Sequence, residues 1–223
     1  TDSLTDYFFT TSRKANENLS KQGINSNRIF FVGNTMIDTL MKQRSKFIQP
    51  GLWNRIGLEE RNYIVLTLHR PANVDGDYKL KELLEEITKQ SRTLKIVFPV
   101  HPRTAKKLTE IGFMNPNMYF VEPLSYLEFN YLVERAKCVI TDSGGITEET
   151  TVLGVPCITL RDSTERPETV AVGTNELIGT DPSAIAPYMD ILFSGKWKKG
   201  AIPELWDGKT STRIIDTLNN LSA

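Results

Sequence analysis

The chain has 223 residues, and 27 Lys and Arg balance 27 Asp and Glu to a formal net charge of zero. A nucleic-acid binder carries a basic excess, which is missing here, and 39% hydrophobic with 24% charged residues is a globular composition, neither disordered nor membrane-like. No apolar run approaches the ~18 residues of a spanning helix, no signal peptide opens the chain, and the start at Thr1 rather than Met leads us to expect part of a longer protein. Tyr7–Thr11 reads as a strand, Ser12 as an N-cap, Arg13–Lys21 as a helix stopped by Gly23, and Ile29–Val32 as a second strand. Thr35–Phe47 reads as a helix leading to a linker at Pro50-Gly51. One βαβ unit cannot sustain a sheet alone, so this region is the end of a preceding domain or an addition to the main sheet edge.

Tyr63–Leu68, Ile96–Val100, Tyr119–Val121, Cys138–Thr141 and Cys157–Leu160 are nearly continuous apolar runs, as parallel strands covered on both faces should be. Between them, Leu80, Leu83, Leu84 and Ile87 follow helical spacing, as do Ile185, Tyr188, Met189 and Leu192, and Leu124, Leu127 and Tyr131 mark a further helical face. The alternation predicts an α/β fold with a doubly wound parallel sheet. The two cysteines, Cys138 and Cys157, sit in apolar runs and read as buried free thiols of a reducing compartment. The tail, Thr210–Leu221, predicts a helix with Ile214, Ile215, Leu218 and Leu221 on one side.

Open α/β sheets bind ligands beyond the carboxyl ends of their strands. His69-Arg70 follows the first strand of the main sheet, His101-Pro102-Arg103 the second, Asp142-Ser143-Gly144-Gly145 the fourth and Arg161-Asp162 the fifth. Both histidines of the chain thus share one rim with three arginines and a glycine pair. Two glycines between strand and helix let backbone N–H groups approach an anion at a helix start, and Ser143 can add a hydroxyl. A carboxylate one turn in, Glu148 or Glu149, can accept both hydroxyls of a ribose whose phosphates sit at the helix start. The stretch therefore reads as a nucleotide-diphosphate site, or as a tight turn that needs glycine for packing only. His69 is a general acid or base, or a polar cap on a strand end. His101 is a phosphate or sugar contact, or a rim residue of extended backbone. No Cys or tightly spaced carboxylate set completes a metal site with the histidines. Asp162–Glu168 is a substrate-lining or simply solvated loop.

Taken together, Arg28–Asp38 (RIFFVGNTMID), Thr67–Arg70 (TLHR), Val100–Arg103 (VHPR), Asp142–Glu149 (DSGGITEE), Leu160–Glu168 (LRDSTERPE), Gly173–Asp181 (GTNELIGTD) and Asp207–Ile215 (DGKTSTRII) resemble the non-hydrolysing UDP-N-acetylglucosamine 2-epimerases, in order and through almost the whole chain. The resemblance implies two Rossmann-like domains facing a cleft, as in GT-B glycosyltransferases, of which this chain looks like the second. Residues 1–48 would be the end of the first domain and a connection, 51–205 the UDP-binding domain, and 206–223 a helix returning to the first domain. It implies interconversion of UDP-GlcNAc and UDP-ManNAc by anti elimination of UDP to 2-acetamidoglucal and re-addition, with no cofactor. It further implies a cytoplasmic enzyme of cell-surface polysaccharide biosynthesis, a homodimer when intact, with a UDP-sugar as its partner rather than nucleic acid or membrane. By resemblance His69 is catalytic, Ser143, Gly144 and Gly145 bind phosphate, Glu149 the ribose and Phe129 lines the uracil pocket. Arg70, His101 and Arg161 are regulatory or sugar-diphosphate contacts.

Two departures matter. Where the family follows its His-Arg pair with Arg or Ala and then Glu-Asn, this chain reads Pro71-Ala72-Asn73, without the acidic side chain. The family's acidic catalytic residues lie in the first domain, so the isolated chain is expected not to epimerise. The donor-binding half of a GT-B glycosyltransferase and a non-catalytic UDP-sugar sensor are the competing readings.

Overall fold

The computed structural model describes residues 4–100 and 102–221. The chain divides into two compact units: one ends at Ser45 and resumes at Ile202, and the other is Lys46–Ala201.

The larger unit is built on six parallel strands: β3 (Tyr63–Thr67), β4 (Lys95–Pro99), β5 (Met118–Val121), β6 (Cys138–Thr141), β7 (Cys157–Thr159) and β8 (Asn175–Leu177), in the order β5-β4-β3-β6-β7-β8. This is the doubly wound order, and its direction of winding reverses between β3 and β6, where such sheets bind ligands. Ile64, Val65, Leu66, Val97, Phe98, Val139, Ile140 and Ile158 are all fully buried, so the apolar runs reflect cover on both faces. Five strands are legible in the sequence and the structure adds a sixth. Asn175–Leu177 (NEL) lacks the apolar run that marks a central strand, because it sits at the sheet edge beside β7.

The crossovers are helical: α4 (Pro71–Val74), α5 (Asp77–Gln90), α6 (Pro102–Glu110), α7 (Tyr126–Arg135), α8 (Gly144–Leu153) and α9 (Pro167–Ala171), with α3 (Leu52–Arg55) preceding β3 and α10 (Ile185–Phe193) following β8. Leu80, Leu83, Leu84 and Ile87 of α5 and Ile185 and Met189 of α10 are buried on the sheet side, as their spacing requires. α6 (PRTAKKLTE) is too polar to stand out in the sequence. α7 starts in a capping box, with the Ser125 hydroxyl accepting from the Glu128 amide and the Glu128 carboxylate accepting from the Ser125 amide. α8 stops at Gly154 in the left-handed conformation, φ +69°. Cys138 and Cys157 are free and buried on neighbouring strands, and burial pushes the Cys157 thiol up to about 12 and that of Cys138 well above its usual value. Neither is a ready nucleophile.

The smaller unit pairs β1 (Phe8–Thr10) with β2 (Ile29–Phe31) in parallel across α1 (Arg13–Lys21), followed by α2 (Thr35–Arg44) and, after the larger unit, α11 (Thr210–Leu221). Ser12 caps α1 by accepting from the Ala15 amide. The helix expected over 35–47 stops three residues early, with Ser45 as its C-cap. Asp38 of α2 caps α11 instead of a local residue: Oδ1 accepts from the Thr210 amide at 3.0 Å, and Oδ2 from the Ser211 amide and hydroxyl, each at 2.7 Å. Burial would raise the Asp38 carboxyl, but these hydrogen bonds outweigh it and hold it below its usual value. The buried Trp206 donates to the Thr11 carbonyl at 3.0 Å. Ile215, Leu218 and Leu221, expected on one side of the tail helix, are exposed.

Gly33 joins β2 to α2 at φ +101°, where an added Cβ would stand 2.2 Å from the Leu205 carbonyl oxygen and 2.7 Å from Thr210 Oγ1. Gly33→Ala combines a strained backbone with a clash against backbone, and is expected to destabilise the smaller unit by about 2–3 kcal/mol. Urea unfolding followed by tryptophan fluorescence checks this; an unchanged midpoint would refute it.

Candidate functional site

The register of β3 on β6 sets Thr67 beside Thr141, whose hydroxyls share a 2.6 Å hydrogen bond. The next residue of β6, Asp142, therefore lies beneath the chain leaving β3. Its fully buried carboxylate accepts from the His69 amide at 3.2 Å on Oδ1 and 3.1 Å on Oδ2, and from the Arg70 amide at 2.9 Å on Oδ2. Asn73 Nδ2 donates to Oδ2 at 3.0 Å and to the Leu160 carbonyl at 3.1 Å, tying the ends of β3, β6 and β7 together. The Asn73 side-chain Oδ1 is buried without a hydrogen-bond partner among the described residues. His69 Nδ1 completes the set at 2.7 Å from Asp142 Oδ1, on a side chain 60% exposed.

This geometry fixes the histidine chemically. With Nδ1–H donated to Asp142, Nε2 is the free nitrogen, an acceptor in the neutral ring and a donor in the imidazolium. The hydrogen bond to Asp142 holds the His69 pKa above its usual value, against a smaller opposing push from desolvation. Burial would raise the Asp142 carboxyl, but the bonds from His69, Asn73 and the Arg70 amide together hold it below its usual value. From the sequence alone Asp142 falls on the rim without a distinct role, and Asn73 carries no signal. Both belong to the support of His69.

Beside the dyad, Ser143 is the N-cap of α8, and its hydroxyl makes no capping bond to the helix's own amides. Its amide donates to Thr141 Oγ1 at 3.0 Å. Gly144 and Gly145 open the helix, so their N–H groups lack intrahelical partners and point along the helix dipole. Arg161, 6% exposed at the end of β7, closes this corner through a two-pronged pair with Glu165, at 2.8 and 2.6 Å. A Cβ added to Gly144 would lie 3.7 Å from Arg161 Nη1 and 3.8 Å from Glu165 Oε2, so the pair sits against the helix start. The pairing pushes the Glu165 carboxyl down to about 2. Arg70 is held to the same corner by a 3.1 Å bond from Nε to the Asp142 carbonyl.

One turn into α8, both glutamates are buried. Glu148 pairs with Arg166 of the loop before α9. Glu149 accepts from the Tyr126 hydroxyl at 2.9 Å, and burial, only partly opposed by hydrogen bonds from Tyr126 and Asn130, raises its carboxyl above the usual value. Phe129 lies half-buried three residues along α7 from Tyr126, on the same side of that helix. The structure thus brings together His69, Arg70, Ser143, Gly144, Gly145 and Arg161, with Glu149 farther along α8. His101 lies outside the described residues. Among the described residues, no group of three or more His, Cys, Asp or Glu could hold a metal ion, and no helix is long and apolar enough to cross a membrane.

A buried acid orienting a histidine beside a glycine-led helix start, with a carboxylate one turn in, suits an anionic nucleotide. Comparison with known proteins identifies the family. The sequence model of the UDP-N-acetylglucosamine 2-epimerase family matches residues 1–219. A relative of that name from Methanocaldococcus jannaschii is 38% identical over 98% of this chain, and the chain spans 62% of that relative's length. The solved structure of the Neisseria meningitidis UDP-GlcNAc 2-epimerase bound to UDP-GlcNAc superposes with a TM-score of 0.84 at 30% identity, covering 98% of this chain and 62% of that one. The M. jannaschii enzyme in complex with UDP-GlcNAc and UDP gives 0.81 at 36% identity, covering 97% and 62%. The motifs, the sheet order and these likenesses converge: the chain belongs to the UDP-N-acetylglucosamine 2-epimerase family.

Proposed function

We propose that the larger unit is the UDP-binding domain of an enzyme that interconverts UDP-GlcNAc and UDP-ManNAc, and that the smaller unit is the end of its other Rossmann-like domain, with α11 returned to it. The observation that carries this reading is the His69–Asp142 pair at the sheet's switch point, 2.7 Å apart, next to the free start of α8. The diphosphate lies on the Gly144 and Gly145 amides and the Ser143 hydroxyl, with Arg161 and Arg70 at its flank. Glu149 accepts the ribose hydroxyls and Phe129 borders the uracil. His101 is a further sugar-diphosphate or regulatory contact.

The chemistry follows from these roles. Elimination removes the proton from C2 and breaks the C1–O bond to UDP, leaving 2-acetamidoglucal; re-addition of UDP with protonation at the opposite face of C2 inverts that centre. Negative charge gathers on the departing diphosphate, where preoriented N–H groups, a hydroxyl and an imidazolium are most effective. His69, whose proton affinity its Asp142 partner raises, hydrogen-bonds that oxygen from Nε2 or, as the imidazolium, protonates it. The proton at C2 requires a carboxylate base, supplied by the part of the intact protein outside this chain. The intact protein is a cytoplasmic homodimer serving cell-surface polysaccharide synthesis.

Glu149→Ala is expected to weaken UDP binding by ~1–3 kcal/mol through loss of the ribose hydrogen bonds. Calorimetry reads this directly, and unchanged affinity would move the ribose elsewhere. Trapping 2-acetamidoglucal from the intact protein supports the epimerase reading. Sugar transfer to an acceptor instead would make it a glycosyltransferase, and UDP binding without chemistry a sensor.

A further inference from the structure

Glu149 has a partner that its assigned role does not explain. The Tyr126 hydroxyl reaches from the first position of α7 to Glu149 Oε1, at 2.9 Å, and Tyr126 is itself 38% exposed at the site. Its backbone is fixed by the Ser125–Glu128 capping box immediately before it, and by Asn130, whose Nδ2 donates to the Tyr126 carbonyl at 3.3 Å. Asn130 is fully buried, and its Oδ1 has no hydrogen-bond partner among the described residues. A buried carboxylate held by directed donors, the Tyr126 hydroxyl foremost with Asn130 beside it, cannot turn freely about its last bond. Its second oxygen and remaining lone pairs then face a fixed direction.

We propose that Tyr126 is a positioning residue for nucleotide recognition: its hydroxyl locks the Glu149 carboxylate in the plane that lets it accept both hydroxyls of a ribose, so that the site selects ribonucleotides over sugars lacking the diol. This rests on the assignment of Glu149 to the ribose. Without the hydroxyl, the carboxylate loses its orientation. It also loses one of the hydrogen bonds that counter its burial, so it takes up a proton at higher pH. A protonated Glu149 accepts poorly from the diol. Affinity for a ribonucleotide therefore falls as pH drops through the Glu149 pKa, and in the variant that fall begins at higher pH.

The test compares UDP with 2′,3′-dideoxy-UDP and inorganic pyrophosphate by calorimetry, on the wild-type protein and on Tyr126→Phe, which keeps the ring. The wild type is expected to prefer UDP over the dideoxy analogue by about 10–100-fold, as hydrogen bonds to a charged acceptor allow. In Tyr126→Phe the preference shrinks to about 3-fold or less, the acid limb of UDP binding moves to higher pH, and pyrophosphate affinity is unchanged. An unaltered preference and pH profile in the variant would overturn the proposal. So would tighter UDP binding, which would make Tyr126 a stand-in that the ribose displaces, and so would a parallel loss of pyrophosphate affinity, which would make its role merely structural. A wild type that does not discriminate between the two nucleotides would remove Glu149 from the ribose, and the proposal with it.

Discussion

Asp142→Asn is expected to lower turnover of the intact protein by about 10²–10⁴-fold, the range that a displaced or mis-charged acid–base histidine produces. The carboxylate receives the amides of His69 and Arg70, Asn73 Nδ2 and His69 Nδ1. An asparagine has one acceptor oxygen and would set its own N–H groups against some of these donors. If it donates to Nδ1, the ring proton moves to Nε2 and the neutral form is favoured. The His69 pKa, held up chiefly by the hydrogen bond to Asp142, then falls. At neutral pH the departing diphosphate meets less imidazolium, and the basic limb of the rate profile shifts to lower pH. Stability follows the same sign. Because the His69 pKa is raised by folding, its share of stability is complete below the ordinary histidine value and is lost as pH rises through the raised one. Asp142, whose pKa is lowered, loses its share as pH falls through the lowered value. Proton NMR titration of His69 and a pH–rate profile check both statements. A variant with an unshifted His69 and turnover within about 3-fold of wild type would exclude the role.

The fold is legible where burial is two-sided. Tyr63–Thr67 and Cys138–Thr141 announce themselves because every residue facing either layer of helices must be apolar, and the residues that follow such strands are then known to lie on one rim. That reasoning suffices to gather His69, the Ser143–Gly145 turn and Arg161. It does not reach the contacts that give them function. The Asp142–His69 bond depends on the register between strands whose paired residues, Thr67 and Thr141, are 74 positions apart, and no local pattern encodes a register. Asn73 lies in a four-residue helix behind Pro71, where sequence comparison draws attention to the altered Ala72 instead. The Tyr126–Glu149 bond arises from two helices packed side by side, each legible but not their contact. The apolar side of Thr210–Leu221 is the converse case: its spacing is helical, yet Ile215, Leu218 and Leu221 are exposed.

Residues 1–223 as an isolated polypeptide are expected to bind UDP yet to convert UDP-GlcNAc at less than about a thousandth of the rate of an intact family member, the loss expected when a general base is missing. The expectation rests on the state of the carboxylates around His69. A base for the C2 proton must be unengaged and must titrate within reach of working pH. Asp142 is held low by its donors and turned toward them. Glu165 is pushed down to about 2 by Arg161, which makes it a weak base. Glu148 is paired with Arg166, and Glu149 lies buried against Tyr126, one turn from the helix start proposed to hold the diphosphate. On the proposed assignment this rim furnishes the groups that hold the diphosphate while these four carboxylates are engaged elsewhere, in a chain that spans 62% of its M. jannaschii relative. Incubation with UDP-GlcNAc in deuterium oxide separates binding from proton transfer. Proton abstraction and return would write deuterium into C2 even without net epimerisation, so binding of UDP with no deuterium at C2 is the expected result. Deuterium uptake or UDP-ManNAc formation near the rate of intact relatives would overturn the expectation and mean that a carboxylate of this chain acts as the base.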